Sequence, residues 1–128
     1  MEEIKTVQDY TAYMQAHPEL TVCPIRRTLD VMGGKWKIFI VLQLFGAEQL
    51  RFGELARGVE GEADLSLVTC DLNTMLSNCL RELEKDGIIL RRQFNEVPPH
   101  VEYSLTEKGR TLSSVLLALV NWGLAHPD

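Results

Sequence analysis

Apolar and polar residues separate most clearly between Leu72 and Gly87, where they fall on two sides of a predicted helix. At roughly 100° per residue, the apolar side chains share one arc, which should face a core. That arc consists of Leu72, Met75, Leu76, Cys79, Leu80 and Leu83. The opposite side carries hydrogen-bonding and cationic groups, namely Thr74, Ser77, Asn78, Arg81 and Lys85. A polar surface of this kind suits the base edges and phosphates of a nucleic acid.

Helix-terminating residues flank this segment. Asp71 or Asn73 can cap its N-terminus, and Gly87 readily adopts the left-handed conformation with which helices end. Two strand-like segments follow, Ile88–Phe94 and His100–Leu105, joined by a short connection that contains prolines. A helix followed by a hairpin with arginines on its first strand indicates a winged helix.

Upstream, the pattern predicts the remaining elements of a helix-turn-helix. A very short strand is expected at Gln49–Phe52. The expected helices are Val7–Ala16, Cys23–Met32, Lys35–Phe45 and Phe52–Arg57. The helix from Lys35 is apolar on nearly every side and therefore belongs in the centre of the core. The segment Gly58–Asp71, which precedes the reading helix, is long for a turn and is acidic.

A last helix is predicted from Thr106 onward, with the threonine as its cap. It is apolar on more than one face, which is more than a small domain can cover by itself. An exposed apolar surface of this length usually binds a partner, most often a second copy of the chain. We therefore predict a homodimer held by Leu112, Val115, Leu116, Leu119 and Trp122.

Length and composition favour one soluble globular unit. The chain has 128 residues, of which 45% are hydrophobic and 24% charged, and it contains no apolar run of the length that a membrane span needs. Its first residues do not resemble a signal peptide, so we expect a cytoplasmic protein. Catalytic motifs, phosphate-binding glycine loops and zinc-type cysteine spacing are absent from the sequence, so neither an enzyme, a metal site nor a cofactor is predicted.

The net charge of −5 argues at first against nucleic-acid binding, which depends on Lys and Arg. The charges are unevenly distributed, however. Between Arg26 and Arg57 there are six basic residues and three acidic ones. A local basic face on an acidic body is therefore expected.

Three cysteines without paired spacing indicate thiols rather than disulfides. Cys23 precedes Pro24 and so occupies the N-cap of a helix, where the helix dipole and two nearby arginines favour the thiolate. Cys23 is thus a candidate reactive thiol, and the alternative is a small packing residue. Cys79 belongs to the apolar arc, and Cys70 lies in the acidic segment.

Several motifs occur in order over most of the chain: Cys23-Pro24-Ile25, Gly33-Gly34-Lys35-Trp36, Arg51-Phe52-Gly53-Glu54-Leu55, Leu80–Gly87 and Val97–Gly109. Together they resemble the HxlR family of bacterial winged helix-turn-helix transcription regulators. The resemblance implies a mainly α (α+β) fold with a helical arm in residues 1–22, a winged helix-turn-helix in 23–106 and a dimerisation helix in 107–128. It also implies a homodimer that binds a two-part operator in double-stranded DNA.

In several members of that family, a cysteine at the position of Cys23 senses oxidants or electrophiles, so the resemblance makes Cys23 a candidate redox sensor. Two departures stand out. The family usually has a tight Pro-Gly-Ile-Ser turn where this chain has Gly58–Asp71. The family also often has an early lysine in the reading helix, where this chain has Asn73 and Thr74, so cationic contact falls mainly to Arg81.

Candidate DNA-binding residues follow from position and chemistry. Four side chains near the start of the reading helix are expected to read bases, with the amides suited to adenine: Asn73, Thr74, Ser77 and Asn78. Arg81 could read guanine or hold a phosphate. Other candidates for the DNA surface are Lys35, Lys37, Arg51, Arg91, Arg92 and His100. Because strand side chains alternate, at most one of Arg91 and Arg92 should lie against DNA. The alternative function is a winged-helix protein-interaction module that no longer binds DNA.

Overall fold

The computed structural model describes residues 4–20, 23–33, 36–62 and 72–127. Its elements, in order, are α1 (Val7–Ala16), α2 (Pro24–Met32), α3 (Lys37–Phe45), β1 (Leu50–Arg51), α4 (Phe52–Glu62), α5 (Leu72–Lys85), β2 (Ile89–Phe94), β3 (His100–Leu105), α6 (Glu107–Arg110) and α7 (Ser113–Ala125). This mainly helical chain with a small antiparallel sheet is the predicted winged helix-turn-helix. None of the helices in the described ranges is long and apolar enough to cross a membrane.

The chain forms two compact units, Met1–Asp30 and Val31–Asp128. The first contains α1 and most of α2. The hydroxyl of Thr6 accepts a hydrogen bond from the backbone N–H of Asp9 and so caps α1. No residue of α1 is buried. The bounds of α1 agree with the prediction made from sequence.

The second unit is built on α3. Ile40, Val41 and Leu44 of this helix are fully or almost fully buried, as expected for a helix that is apolar on most sides. The same core includes Leu55 and Val59 from α4. It also contains the inward residues of α5 and of the hairpin: Leu76, Leu80, Leu83, Ile88, Ile89, Tyr103 and Leu105.

Helix α4 is longer than the sequence predicted. We expected it to end near Arg57, but it continues to Glu62. Val59 is fully buried, and a Cβ at position 58 would collide with the side chain of Gln43. Packing against α3 thus outweighs the low helix propensity of glycine. The rest of the predicted acidic segment, residues 63–71 with Cys70, lies outside the described residues.

The sheet has the strand order β1-β3-β2, and both pairings are antiparallel. In β2 and β3, Arg91 lies opposite Tyr103, and Arg92 lies opposite Glu102. Tyr103 belongs to the core, while Glu102 does not. Since successive strand residues point to opposite faces, Arg91 shares the face of Tyr103, and Arg92 lies on the other face.

Helix α5 ends in a Schellman motif. Gly87 has a φ of 77°, its N–H donates to the carbonyl of Glu84 at 3.0 Å, and the N–H of Ile88 donates to the carbonyl of Leu83 at 2.9 Å. Leu83 and Ile88 are both buried, which supplies the apolar contact of the motif. The motif turns the chain sharply from α5 into the hairpin.

The segment after the hairpin differs from the prediction of one continuous helix. Thr106 caps only the short helix α6, accepting from the N–H of Gly109, and a turn at residues 111–112 separates α6 from α7. The hydroxyl of Thr106 also donates to the carbonyl of Gly87 at 2.6 Å, and the ammonium of Lys108 donates to the carbonyl of Asp86 at 2.8 Å. These contacts fasten α6 to the end of α5, so the chain must turn again before α7 begins.

Candidate nucleic-acid interface

Helix α5 presents two chemically distinct sides. Leu76, Leu80 and Leu83 are buried, and Met75 and Cys79 are half-buried, so the predicted apolar arc faces the core. On the opposite side, four of the five predicted reading residues are exposed and Ser77 is half-buried; the exposed ones are Asn73, Thr74, Asn78 and Arg81. This polar strip is therefore accessible to a ligand as large as a DNA groove.

Within the strip, Arg81 and Asn78 are coupled. The guanidinium of Arg81 donates to the amide oxygen of Asn78 at 3.3 Å. Lys85, one turn further on, is exposed in the last turn of α5, where a cation is favourable to the helix dipole. The strip thus has hydrogen-bonding groups near the start of the helix and cations toward its end.

The two hairpin arginines have different surroundings. The guanidinium of Arg92 lies 5.1 Å from the centroid of the Phe94 ring, and that ring stacks on His100 with centroids 4.7 Å apart. Arg91 lies on the other face and lines a cleft together with α5. The expectation that the two arginines point to opposite faces is met, and Arg91 is the one on the side of the reading helix.

His100 is largely covered by neighbouring side chains of the hairpin. Its side chain is 15% exposed, stacked on Phe94, and its ring nitrogens lie 3.8 Å from Glu96 and 3.5 Å from Glu102. A histidine held between two carboxylates and an aromatic ring supports the hairpin. DNA contact by His100 stays a prediction.

Lys37 also departs from its predicted role. It is buried, with 8% of its surface exposed, and its ammonium pairs with the carboxylate of Glu82 at 2.6 Å. The Lys37 ammonium holds the pKa of the Glu82 carboxyl below its ordinary value, through a hydrogen bond and its charge. A buried, paired ammonium does not meet a phosphate, so Lys37 instead joins the start of α3 to α5.

Two further predicted cations flank α3 and α4. Arg51 is exposed in β1. Its backbone N–H donates to the carboxylate of Glu54 at 3.0 Å. Lys35 lies outside the described residues. Arg51 therefore stays in the predicted DNA-binding set.

Cys23 lies at the N-terminus of α2, as predicted. Its carbonyl accepts the first helical hydrogen bond, from the N–H of Arg27 at 2.9 Å. The thiol sulfur lies 3.0 Å from the hydroxyl of Tyr10 in α1. The pKa of the Cys23 thiol is lowered, most strongly by the hydrogen bond with Tyr10 and further by the backbone N–H groups of Arg26 and Ile25. This environment favours the reactive thiolate.

Cys79 has the opposite character. It is half-buried in α5, its thiol lies 3.9 Å from the sulfur of Met75, and burial raises its pKa. The carboxylate of Glu82 raises the pKa of Cys79 further. Cys79 is thus a packing residue, as its place in the apolar arc predicted.

The five residues that were predicted to hold a dimer differ in their burial. Leu116 is buried in the core of its own chain, which makes its assignment to a dimer contact wrong, and Leu112 and Val115 are half-buried against the same core. Leu119 and Trp122 are 53% and 68% exposed. Three other apolar residues of α7 are also exposed, which are Leu117, Val120 and Leu124.

The family model for HxlR-like helix-turn-helix proteins matches residues 31–128. The chain belongs to the HxlR-like helix-turn-helix family. It is accordingly a DNA-binding transcriptional regulator and not an enzyme. The match begins where the second compact unit begins, so the winged helix with α7 is the part that the family model describes.

Relatives of this HxlR-type chain have the same character. The HTH-type transcriptional regulator YdeP of Bacillus subtilis (strain 168) is 42% identical over 106 residues, which cover 83% of this chain and 75% of YdeP. YybR of the same organism is 40% identical over 112 residues, covering 88% of this chain and 82% of YybR. Among solved structures, the redox regulator HypR in its oxidized form has a TM-score of 0.67 at 42% identity, covering 83% of this chain and 99% of HypR.

Two residues of this HxlR-type regulator were missed from its sequence. Tyr10 lies in a helix without a clean apolar stripe, and nothing in the spacing of 13 residues indicates its contact with Cys23. Glu82 was read as part of a motif, although its partner Lys37 lies far away in the chain. Both contacts join residues of different helices, so the periodicity within one helix cannot predict them.

Proposed function

We propose that this protein binds operator DNA as a homodimer, with the polar strip of α5 in the major groove and the β2–β3 hairpin beside it. The observation that carries this proposal is the strip itself, in which Asn73, Thr74, Asn78 and Arg81 are exposed opposite a buried apolar arc. Amide and hydroxyl groups near the N-terminus of a recognition helix reach base edges. Such a regulator acts on DNA in the cytoplasm.

Local charge supports this proposal despite the net charge of −5. Arg81, Lys85 and Arg91 are exposed cations of α5 and of the adjacent strand β2. Phosphate contacts supply much of the affinity of DNA-binding proteins, and these contacts need cations only on the face that meets the duplex.

The exposed apolar residues of α7 support the dimer. Leu119 and Trp122 are exposed together with three other apolar residues of this helix, and we propose that a second copy of α7 packs against Leu119 and Trp122. A twofold pair would present two reading helices to two half-sites, as helix-turn-helix dimers do.

The binding proposal is tested by fluorescence anisotropy on the DNA that flanks the protein's own gene, at two salt concentrations. Because counterions are released from phosphates, a DNA-binding protein must lose affinity steeply as salt rises. Salt-insensitive or absent binding would favour the alternative, a module for protein contact.

Asn78→Ala separates base reading from general attraction to DNA. We expect it to weaken operator binding by about 1–3 kcal/mol and to leave binding to scrambled duplex nearly unchanged, because an amide that reads a base contributes only at its own site. Gln15→Ala is the matched control, since it removes an exposed amide from α1, outside the proposed DNA surface. Equal losses on both duplexes would contradict a base-reading role for Asn78.

We also propose that Cys23 is a redox-sensing thiol, with an oxidant or an electrophile as the effector. Its place at the start of α2, its contact with Tyr10 and its lowered pKa support this role. The relative HypR is a redox regulator with solved structures of both its oxidized and its reduced form.

Tyr10→Phe tests this environment. Removal of the hydroxyl should raise the pKa of Cys23 toward its ordinary value, so the thiolate fraction and the rate of alkylation by iodoacetamide at pH 7 should fall severalfold. Peptide mapping by mass spectrometry over a pH series follows each thiol separately, with Cys79 as a slow internal reference. Tyr13→Phe, on the same helix, is the control. An unchanged pH profile in Tyr10→Phe would show that the hydroxyl does not act on the thiol.

A further inference from the structure

A cleft of about 170 Å³ lies between α5 and the sheet, at the edge of the polar strip. It is lined by Ser77, Leu80, Arg81 and Glu84 from α5, by Arg91 from β2 and by Tyr103 from β3. Its walls therefore come from both of the elements that a winged helix brings to DNA.

The cleft has an excess of positive charge. Both arginines are exposed, and neither guanidinium forms an ion pair with a carboxylate among the residues that the structure describes. Glu84 contributes one carboxylate to the same walls. Two guanidinium groups against one carboxylate leave a site that attracts an anion.

The alternation of side chains along β2 places Arg91, and not Arg92, in this cleft. Arg91 lies opposite Tyr103 in the β2–β3 register, so both point to the face that lines the cleft. Arg92 lies on the other face, against Phe94. The two neighbouring arginines therefore provide a natural pair of test and control.

We propose that this cleft binds one backbone phosphate of duplex DNA between the guanidinium groups of Arg81 and Arg91. This inference rests on the proposed function and names the residues that contact the DNA backbone. Guanidinium groups match the oxygens of a phosphate with paired hydrogen bonds. When a helix lies in one groove and a hairpin lies beside the next, the sugar-phosphate strand between the grooves crosses the gap between these elements. Ser77 lines the same cleft, and in this proposal its hydroxyl binds the phosphate instead of a base. The register of the protein on the duplex is fixed there.

The test is the salt dependence of binding to a fluorescein-labelled duplex of random sequence, measured with the full-length protein. The slope of log affinity against log salt decreases by about 0.9 for each phosphate contact that is removed. We expect the double variant Arg81→Gln/Arg91→Gln to lower the slope by about 0.9, because both side chains hold the same phosphate. Arg92→Gln should leave the slope unchanged.

Other outcomes would overturn the shared site. If the slope of log affinity against log salt decreased by about 1.8 in the double variant, the two arginines would bind separate phosphates. An unchanged slope, or an equal effect of Arg92→Gln, would remove the cleft from the interface. Thermal unfolding verifies that each variant is folded. Arg91→Lys keeps the positive charge and should therefore retain the wild-type slope.

Two further measurements identify the source of the phosphate. They also distinguish a failure of this inference from a failure of the proposed function. Glu84→Gln should tighten binding to the duplex, because it removes the one carboxylate of the cleft. Calorimetric titration with inorganic phosphate should show no saturable binding in the micromolar range, and tight binding that Arg91→Gln abolishes would make a free anion the ligand instead. If wild-type protein binds neither this duplex nor the operator, the proposed function fails; if it binds and the variants keep its slope, only the cleft assignment fails.

Discussion

Gly109→Ala should lower the free energy of unfolding by about 2–3 kcal/mol, because the new methyl group has no space. A Cβ at position 109 would collide with the backbone carbonyl of Ile88 and would lie 3.1 Å from a methyl group of Leu105. The backbone of Ile88 is held by the Schellman turn of α5 and cannot move without disturbing the reading helix. Urea unfolding, followed by circular dichroism, measures the loss.

Gly53→Ala is the matched control for this substitution. Nothing lies within 4 Å of a Cβ placed at Gly53, which is also helical, so this variant should be as stable as wild type or slightly more stable. If Gly109→Ala were equally harmless, the close approach of α6 to the end of α5 would not be a constraint in solution.

The same substitution should also weaken DNA binding. Thr106 and Lys108 bind the carbonyls of Gly87 and Asp86, so α6 holds the C-terminal end of the reading helix. A methyl group at position 109 would separate these elements and loosen α5 relative to the hairpin. Operator affinity should therefore fall together with stability in Gly109→Ala.

The sequence predicted the features that depend on local periodicity and on punctuation. The two sides of α5 follow from an apolar repeat of Leu76, Leu80 and Leu83, which the core buries as expected. Gly87 indicated the end of α5, and the strands of the hairpin match their expected ranges closely. In each case residues close in the chain carried the whole signal.

The features that were missed depend on contacts between distant residues. Lys37 reads as an exposed cation in the first turn of a helix, but Glu82 compensates its charge after folding. The pattern predicts that α4 ends near Arg57, but the core buries Val59 and the helix continues to Glu62. Leu116 reads as one of many apolar residues in α7, and only the folded chain distinguishes its inward side from its outward side.

Leu119→Glu should raise the dissociation constant of the proposed dimer roughly 100-fold, because a carboxylate left without a partner in an apolar contact costs about 3 kcal/mol or more. Leu119 is 53% exposed within its own chain, so a charge there should not unfold the monomer. A glutamate at Leu116 would be a poor test, since that residue is buried in the core. Sedimentation velocity over a dilution series measures the dissociation constant.

Ser114→Glu places the same charge on the same helix at an exposed polar position and should leave the dimer intact. If both variants sediment as wild type does, Leu119 of α7 does not hold the copies together. If Leu119→Glu is monomeric and still folded, its operator affinity should fall steeply, because a single reading helix then binds a single half-site. Loss of dimer with full retention of operator affinity would separate assembly from DNA binding and would contradict a dimeric reader.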